Sequence, residues 1–260
     1  MRHLPTAAIA VVSSVAFIQL ASAADLPVKA PPRPVVVPPY NWTGLYAGLN
    51  LGGSWGRQDA SLINTTTGAI VATRSNNLDG VIGGGQIGYN WQVNQWVFGL
   101  EADFQGSGQK ADGSFFDPGA PCGPNVAACF PIPSTSIAYT DKLDWFGTVR
   151  GRIGYAMGAT GNWLPYVTGG WAYGHGEIDR TTTIGGVVTT SSSGSQNYSG
   201  WTVGGGVEWA FANKWSAKLE YLYIDFGDGP TIPVATTAFS VSVGHMTDNI
   251  VRLGVNYKFF

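Results

Sequence analysis

The sequence predicts an all-β chain, an eight-stranded antiparallel up-and-down transmembrane β-barrel preceded by a cleaved signal peptide and a Pro-rich arm. Three observations carry this. From Trp42 onward, eight segments alternate apolar and polar residues with the period of two that a strand requires. Charged residues make up only 12% of the chain, while 37 Gly, 10 Trp, 11 Tyr and 12 Phe are many for 260 residues. The connections alternate short and long, as they do when tight turns sit at one barrel end and long loops at the other. The formal charge of −2 leaves no basic footprint for nucleic acid.

The N-terminus reads as a secretory signal over 1–23: Arg2 and His3 are basic, Ile9 to Leu20 is apolar, and Ala21-Ser22-Ala23 is a small-x-small cleavage site. That apolar run is too short for a helical anchor, which needs about 20 residues. Residues 24–40 form the arm. Its six prolines between Asp25 and Pro39 forbid helix and favour polyproline II. Starting at Ala24, the arm is expected to act as a periplasmic spacer, with attachment to peptidoglycan as a sharper alternative. The barrel occupies 41–260.

Strand by strand, the expected spans are 42–56, 78–91, 96–106, 139–157, 163–178, 200–211, 215–226 and 249–260. In the first, Leu45, Ala47, Leu49 and Leu51 share one face, and Gly44, Tyr46, Gly48 and Asn50 the other. The second sets Val81, Ile87, Tyr89 and Trp91 against Gly84, Gln86, Gly88 and Asn90. A turn at Val93-Asn94 is expected to pair Trp91 with Trp96 and Tyr89 with Phe98. The third strand places Trp96, Phe98, Leu100, Ala102 and Phe104 opposite Glu101 and Asp103, and the fourth places Trp145, Val149, Ile153 and Tyr155 opposite Thr148, Arg150 and Arg152. The fifth has two nearly equally apolar faces, so its register stays open. The sixth shows Trp201, Val203, Val207, Trp209 and Phe211 against Thr202 and Glu208. The seventh shows Ala217, Leu219, Tyr221 and Tyr223 against Lys218 and Glu220. A three-residue turn at 212–214 puts Glu208 opposite Lys218. In the eighth, Val251, Leu253, Val255, Tyr257 and Phe259 alternate with Arg252, Gly254, Asn256 and Lys258. The segments 57–77, 108–138, 179–199 and 228–245 are expected to be long polar loops.

One face therefore collects Glu101, Asp103, Glu208 and Glu220 with Arg150, Arg152, Lys218, Arg252 and Lys258. A lipocalin-like soluble barrel would have apolar residues inside, the reverse of this arrangement. Facing lipid, each basic residue would cost about 2–4 kcal/mol near the midplane, so the register is strongly fixed with the charges inward. Eight strands leave room only for side chains, and a plug of ion pairs is expected. Cys122 and Cys129, close together in a Pro-rich segment, are expected to form a disulfide in an exported protein; no His or further Cys lies near enough to favour zinc.

The pattern Arg252, Gly254, Tyr257 and Phe259, followed by Phe260, resembles the C-terminal assembly signal of bacterial outer-membrane barrels. Together with Trp42-Thr-Gly-Leu-Tyr-Ala-Gly-Leu-Asn50, Leu164-Pro-Tyr-Val-Thr-Gly-Gly170 and Leu219-Glu-Tyr-Leu-Tyr223, it makes the chain resemble the small outer-membrane immunogenic, porin-family barrels of alphaproteobacteria. The resemblance implies an OmpA-type barrel in the bacterial outer membrane, in contact with lipid and lipopolysaccharide and placed by the barrel assembly machinery. It implies structural and antigenic roles, and carries no catalytic set, cofactor or metal. The expected function is a structural barrel supporting envelope integrity. A narrow porin, or an adhesin or haem binder, is the alternative. Gly83-x-Gly85-x-x-Gly88 matches a dinucleotide fingerprint only as a string, because it lies inside a strand with no helix after it. His175 and His245 are read as exposed residues of the outer rim and loops rather than ligands.

Overall fold

The computed structural model describes residues 38–117, 119, 133–229, 231–233 and 239–259. The predicted signal, most of the arm, both cysteines and Phe260 lie outside the described residues. Among the described residues nine strands form: β1 (Gly44–Asn64), β2 (Ile70–Val93), β3 (Trp96–Asp117), β4 (Thr135–Tyr155), β5 (Trp163–Ile184), β6 (Val187–Ala212), β7 (Trp215–Asp228), the short β8 (Thr231–Pro233) and β9 (Phe239–Lys258). All pairings are antiparallel, and β1 pairs with β9, so β1 to β7 and β9 close an eight-stranded ring with β8 on the outer edge of β9. No helix occurs among the described residues.

Within the ring the apolar positions face out. Leu49, Leu51, Val81, Leu100, Val167 and Leu253 are all exposed, whereas the residues alternating with them are buried. Aromatics bound this band at two levels. At the short-turn end, cross-strand pairs set Trp96 edge-on to Tyr155, stack Trp163 on Trp209 and set Trp215 edge-on to Tyr257, with ring centroids 5.3, 5.7 and 5.0 Å apart. At the other level stand Trp55, Phe104 with Trp145 (5.3 Å) and Trp201 with Tyr223 (5.5 Å). Leu45 to Trp55 is 11 residues long, the length of a tilted strand that crosses a bilayer. The fifth strand's register is resolved: Leu164, Tyr166, Thr168 and Ala172 point in, and Val167 and Trp171 point out.

The strands run much further than the sequence suggests. Most of 57–77, 108–117, 135–138, 179–199 and 239–245 is strand rather than loop, with Leu62 paired to Ala72, Asp117 to Thr135 and Ile184 to Val187. The reason is a reversal of alternation. Beyond Trp55, Arg57, Asp59 and Ser61 face solvent while Gln58, Ala60 and Leu62 turn inward; in β4, Ile137 and Tyr139 do the same. Here water bathes the outer face, so apolar side chains retreat inside. β-Bulges mark the changeover, between Gln58 and Ala60 and between Leu143 and Trp145.

Two turns differ from expectation. Val93 pairs with Trp96, so the turn is Asn94-Gln95, and Trp91 faces Phe98 while Tyr89 faces Leu100. A slip of two residues keeps both apolar faces on one side. Ala212 pairs with Trp215 across a two-residue turn, with a bulge at Phe211 that preserves the Glu208–Lys218 register. Trp42 lies outside β1 and is buried rather than at a strand start.

Asn94 sits at φ 56°, in the left-handed region that a tight hairpin demands. Asn94→Gly is expected to leave urea unfolding in micelles nearly unchanged, whereas Asn94→Val should lower stability by about 1–2 kcal/mol.

Candidate functional site: the barrel interior

The interior is filled in layers. At the short-turn mouth, Trp42 folds under the ring with Val97, Ala156, Leu164 and Ala210, and Tyr40 packs against them. The Trp42 indole donates to the Gly161 carbonyl at 2.9 Å, and its backbone N–H donates to the Gln92 side chain at 2.7 Å. Lys258 belongs to this rim rather than to the interior: its ammonium lies 4.6 Å from the Tyr40 ring centroid and donates to the Asn41 carbonyl. The physical reason is position. Lys258 is the last residue of β9, where the ring ends and the chain entering at Asn41 supplies the acceptor.

Above the rim lie Glu101, Asp103, Glu208 and Glu220 with Arg150, Arg152, Lys218 and Arg252, four acids and four bases, each at most 4% exposed. The strand register delivers several of the contacts: Glu101 is directly opposite Arg150, and Glu220 is opposite Arg252. Arg150 reaches Glu101 at 2.5 Å, Asp103 at 2.9 Å and Glu220 at 3.1 Å. Arg252 bridges Asp103 at 2.8 Å and Glu220 at 2.6 Å. Lys218 donates to Glu101 at 2.9 Å and Arg152 to Glu208 at 2.9 Å. Although Glu208 and Lys218 are cross-strand partners, each finds its ion partner across the ring instead.

Neutral groups that sequence reasoning passed over complete the network. Tyr46 donates to Glu101 at 2.7 Å, Tyr166 to Glu220 at 2.9 Å, and Ser216 and Asn256 to Glu208 at 2.5 and 2.8 Å. Arg152 lies between the Tyr46 and Tyr166 rings, 5.0 and 5.1 Å from their centroids. Gly88, the last glycine of the fingerprint-like string, makes room for this: a Cβ there would sit 2.4 Å from the Tyr46 hydroxyl. Gln86 bridges Asn50 and Asn256.

A third layer is apolar, and sequence reasoning did not see it. Leu78, Ile82, Leu143, Phe146, Leu222, Ile224, Met246 and Ile250 converge inside the ring, with Phe146 and Ile250 completely solvent-excluded. Gln109 reaches from this layer to Ser54 at 2.6 Å and to Asp248 at 3.1 Å. Higher still, beyond the lipid-facing band, Ala60, Leu62, Phe115, Ile137 and Tyr139 form a further cluster. The two histidines are on the outer wall at this end. His175 stacks on Trp145 and contacts Asn197 at 2.8 Å; His245 is 3.1 Å from Asp225, whose hydrogen bond pushes its pKa upward. No group of three or more metal-ligating side chains occurs among the described residues.

Of the proposed assembly-signal positions, Arg252 lies in the charged layer and Gly254 faces inward beneath Lys218 and Gln86, while Tyr257 and Phe259 pack edge-to-face at the rim, 5.4 Å apart. In this interior the buried charges neutralise one another.

Removing one partner from such a network strands the others. Arg150→Ala should cost about 3–5 kcal/mol in urea unfolding of the micelle-bound protein, because Glu101, Asp103 and Glu220 lose their shared counter-charge. Adding Glu101→Gln to that variant should restore part of the loss.

The family model described as "Outer membrane protein beta-barrel domain" matches residues 9–259. The chain is 35% identical over 250 residues to the 31 kDa outer-membrane immunogenic protein of Brucella melitensis, covering 94% of this chain and 95% of that protein. It is 32% identical over 178 residues to a 22 kDa outer membrane protein of Rhizobium leguminosarum, covering 68% of this chain and 66% of the relative. Among solved structures, OprG of Pseudomonas aeruginosa aligns over 84% of this chain and 98% of its own, with 12% identity and a TM-score of 0.43. With its eight-stranded ring, its lipid-facing band and a family match across nearly its whole length, the chain belongs to the outer membrane protein beta-barrel family and resides in the bacterial outer membrane.

Proposed function

We propose that this protein is a structural, non-conducting barrel that strengthens the outer membrane and displays a tall external wall as its antigenic surface. The observation that carries this reading is the series of seals along one axis. Trp42 and its neighbours close the periplasmic mouth, the eight charges neutralise one another above it, and the apolar layer follows. A hydrated ion would have to displace side chains at each level. In the same reading, residues 1–23 are the export signal, and Arg252, Gly254, Tyr257, Phe259 and Phe260 form the assembly signal. Residues 24–40 are a periplasmic arm that spaces the barrel from the cell wall or ties it there. Cys122 and Cys129 close a loop on the external side. The outer face meets acyl chains between the aromatic levels and lipopolysaccharide at the external one.

Planar-bilayer recording tests the closed interior. The refolded mature protein is expected to insert without discrete conductance steps, and regular steps of uniform size from the intact sequence would overturn the reading in favour of a porin. A deletion strain should show increased sensitivity to detergent and bile salts, restored by the full-length gene and by an Arg150→Lys variant that keeps the charge.

A further inference from the structure

The short-turn end of the barrel carries an unbalanced charge. The segments that form it, 38–43, 92–95, 156–162, 212–214 and 258–259, contain Lys214 and Lys258 and no Asp, Glu or Arg. At the opposite end the signs are mixed, and Lys142 is paired with Asp179 at 3.0 Å. The two lysines of the short-turn end are neighbours, since Lys258 donates its backbone N–H to the Lys214 carbonyl at 2.8 Å. Both ammonium groups rest on aromatic faces and carbonyls rather than on carboxylates. Lys214 lies 5.8 Å from the Tyr257 ring centroid and donates to the Phe259 carbonyl at 3.3 Å, and Lys258 lies 4.6 Å from the Tyr40 centroid and donates to the Asn41 carbonyl. An ammonium has three donors, so each keeps N–H groups for an incoming anion. Glu208, in the layer above, is buried and committed to Arg152, Ser216 and Asn256.

Lys258 lines a pocket of about 340 Å³ set between the entering chain, the β4–β5 turn and the β6–β7 turn. Backbone hydrogen bonds fix its walls: the Tyr40 N–H donates to the Thr160 carbonyl at 2.7 Å, and the Ala210 N–H donates to the Asn162 carbonyl at 2.9 Å. Thr160, Asn162 and Asn213 line it too, adding hydroxyl and amide donors without adding negative charge. Phe211 is a further wall. It is 48% exposed on the lipid-facing side, and its ring centroid lies 5.8 Å from that of Trp209 in the aromatic level at this end. The site is therefore amphipathic, cationic and rich in donors at one side and continuous with the membrane-facing surface at the other.

We propose that this pocket binds the phosphodiester headgroup of an inner-leaflet phospholipid, with Lys258 and Lys214 on the phosphate, Asn162 and Asn213 on headgroup oxygens, and an acyl chain laid along Phe211 and Trp209. Inorganic phosphate offers the same charge to the lysines but leaves the exposed Phe211 face uncovered, and the lipid covers both. The leaflet rests on the periplasmic placement of the short turns proposed above. The recognition itself does not, because it follows from the charge, donors and apolar margin of the pocket.

The test uses the refolded mature protein in maltoside micelles, which bring no phosphate of their own, and counts retained lipid by native mass spectrometry. Dimyristoyl phosphatidylglycerol is expected to stay on the barrel as a single molecule. Dimyristoylglycerol, which has the chains without the phosphate, and inorganic phosphate, which has the charge without the chains, should each bind more weakly by about tenfold or more. Lys214→Gln and Lys258→Gln should each weaken lipid retention about fivefold, and about twenty-five-fold together. Since Lys258 also holds the rim, Asn213→Asp in the exposed turn is the second variant: its added carboxylate should weaken binding without altering heat-modifiable migration of the barrel. Lys110→Gln, at the far end, should leave retention unchanged. Four results would overturn the proposal: equal retention of dimyristoylglycerol; inorganic phosphate binding as tightly as the lipid, which makes this a free-anion site; retention unchanged by the double lysine variant and by Asn213→Asp; or displacement of the lipid by a soluble cell-wall peptide. None of these readouts involves conduction, so this site and the closed interior fail separately.

Discussion

Eight ionised side chains enclosed in a ring of strands constrain everything else in this molecule. Placed on the lipid side near the midplane, the basic ones alone would cost an amount comparable to a domain's whole stability. Placed inside, they neutralise one another through Arg150, Arg252 and Lys218, with Tyr46, Tyr166 and Ser216 satisfying further oxygens. Because a one-residue slip would exchange the faces of a strand, the network fixes register in β3, β4, β6, β7 and β9 together. Closure follows from the same constraint, since β1 must meet β9 to leave no edge in the hydrocarbon.

The axis of the ring reads as a succession of solvents. Outside, acyl chains accept Leu49, Leu100 and Leu253, and the aromatic pairs at each level mark where the hydrocarbon ends. Above that level the rule inverts. Arg57, Asp59 and Ser61 face water, Leu62, Phe115 and Ile137 turn inward, and the strands continue as a wall with a wet exterior and an apolar filling. One chain therefore obeys opposite hydrophobic patterns in two parts of the same strand, joined by bulges.

This inversion explains what the sequence made legible. Within the lipid-facing band, low charge and strict alternation identify Leu45 to Trp55 or Val251 to Phe259 without ambiguity, and the inward charges follow from parity alone. Past Trp55 the segments are rich in Ser, Thr, Asn and Gly, and read as loops, because their pairing is carried by backbone hydrogen bonds rather than by an apolar face. The apolar interior layer was hidden for a related reason. Leu78 and Leu143 fall inside expected strands and Met246 just ahead of the last one, each between polar neighbours and with no face assigned to it. Trp42 escaped because an aromatic ahead of a strand looks like a girdle residue, whereas here it turns under the ring. Lys258 shared the parity of Arg252 but lies beyond the last ring of side chains, where the rim takes it.

The central claim, that greasy side chains meet acyl tails up to Trp55 and water beyond it, is tested most directly by spin labels placed along the outward face of β1. In bilayers, labels at Ala47, Leu49 and Leu51 are expected to collide with dissolved oxygen and be shielded from a water-soluble nickel complex, with the preference reversing between Trp55 and Arg57 and remaining reversed at Asp59 and Ser61. Nickel access at Leu49 or Leu51, or an oxygen maximum at Asp59, would contradict the account.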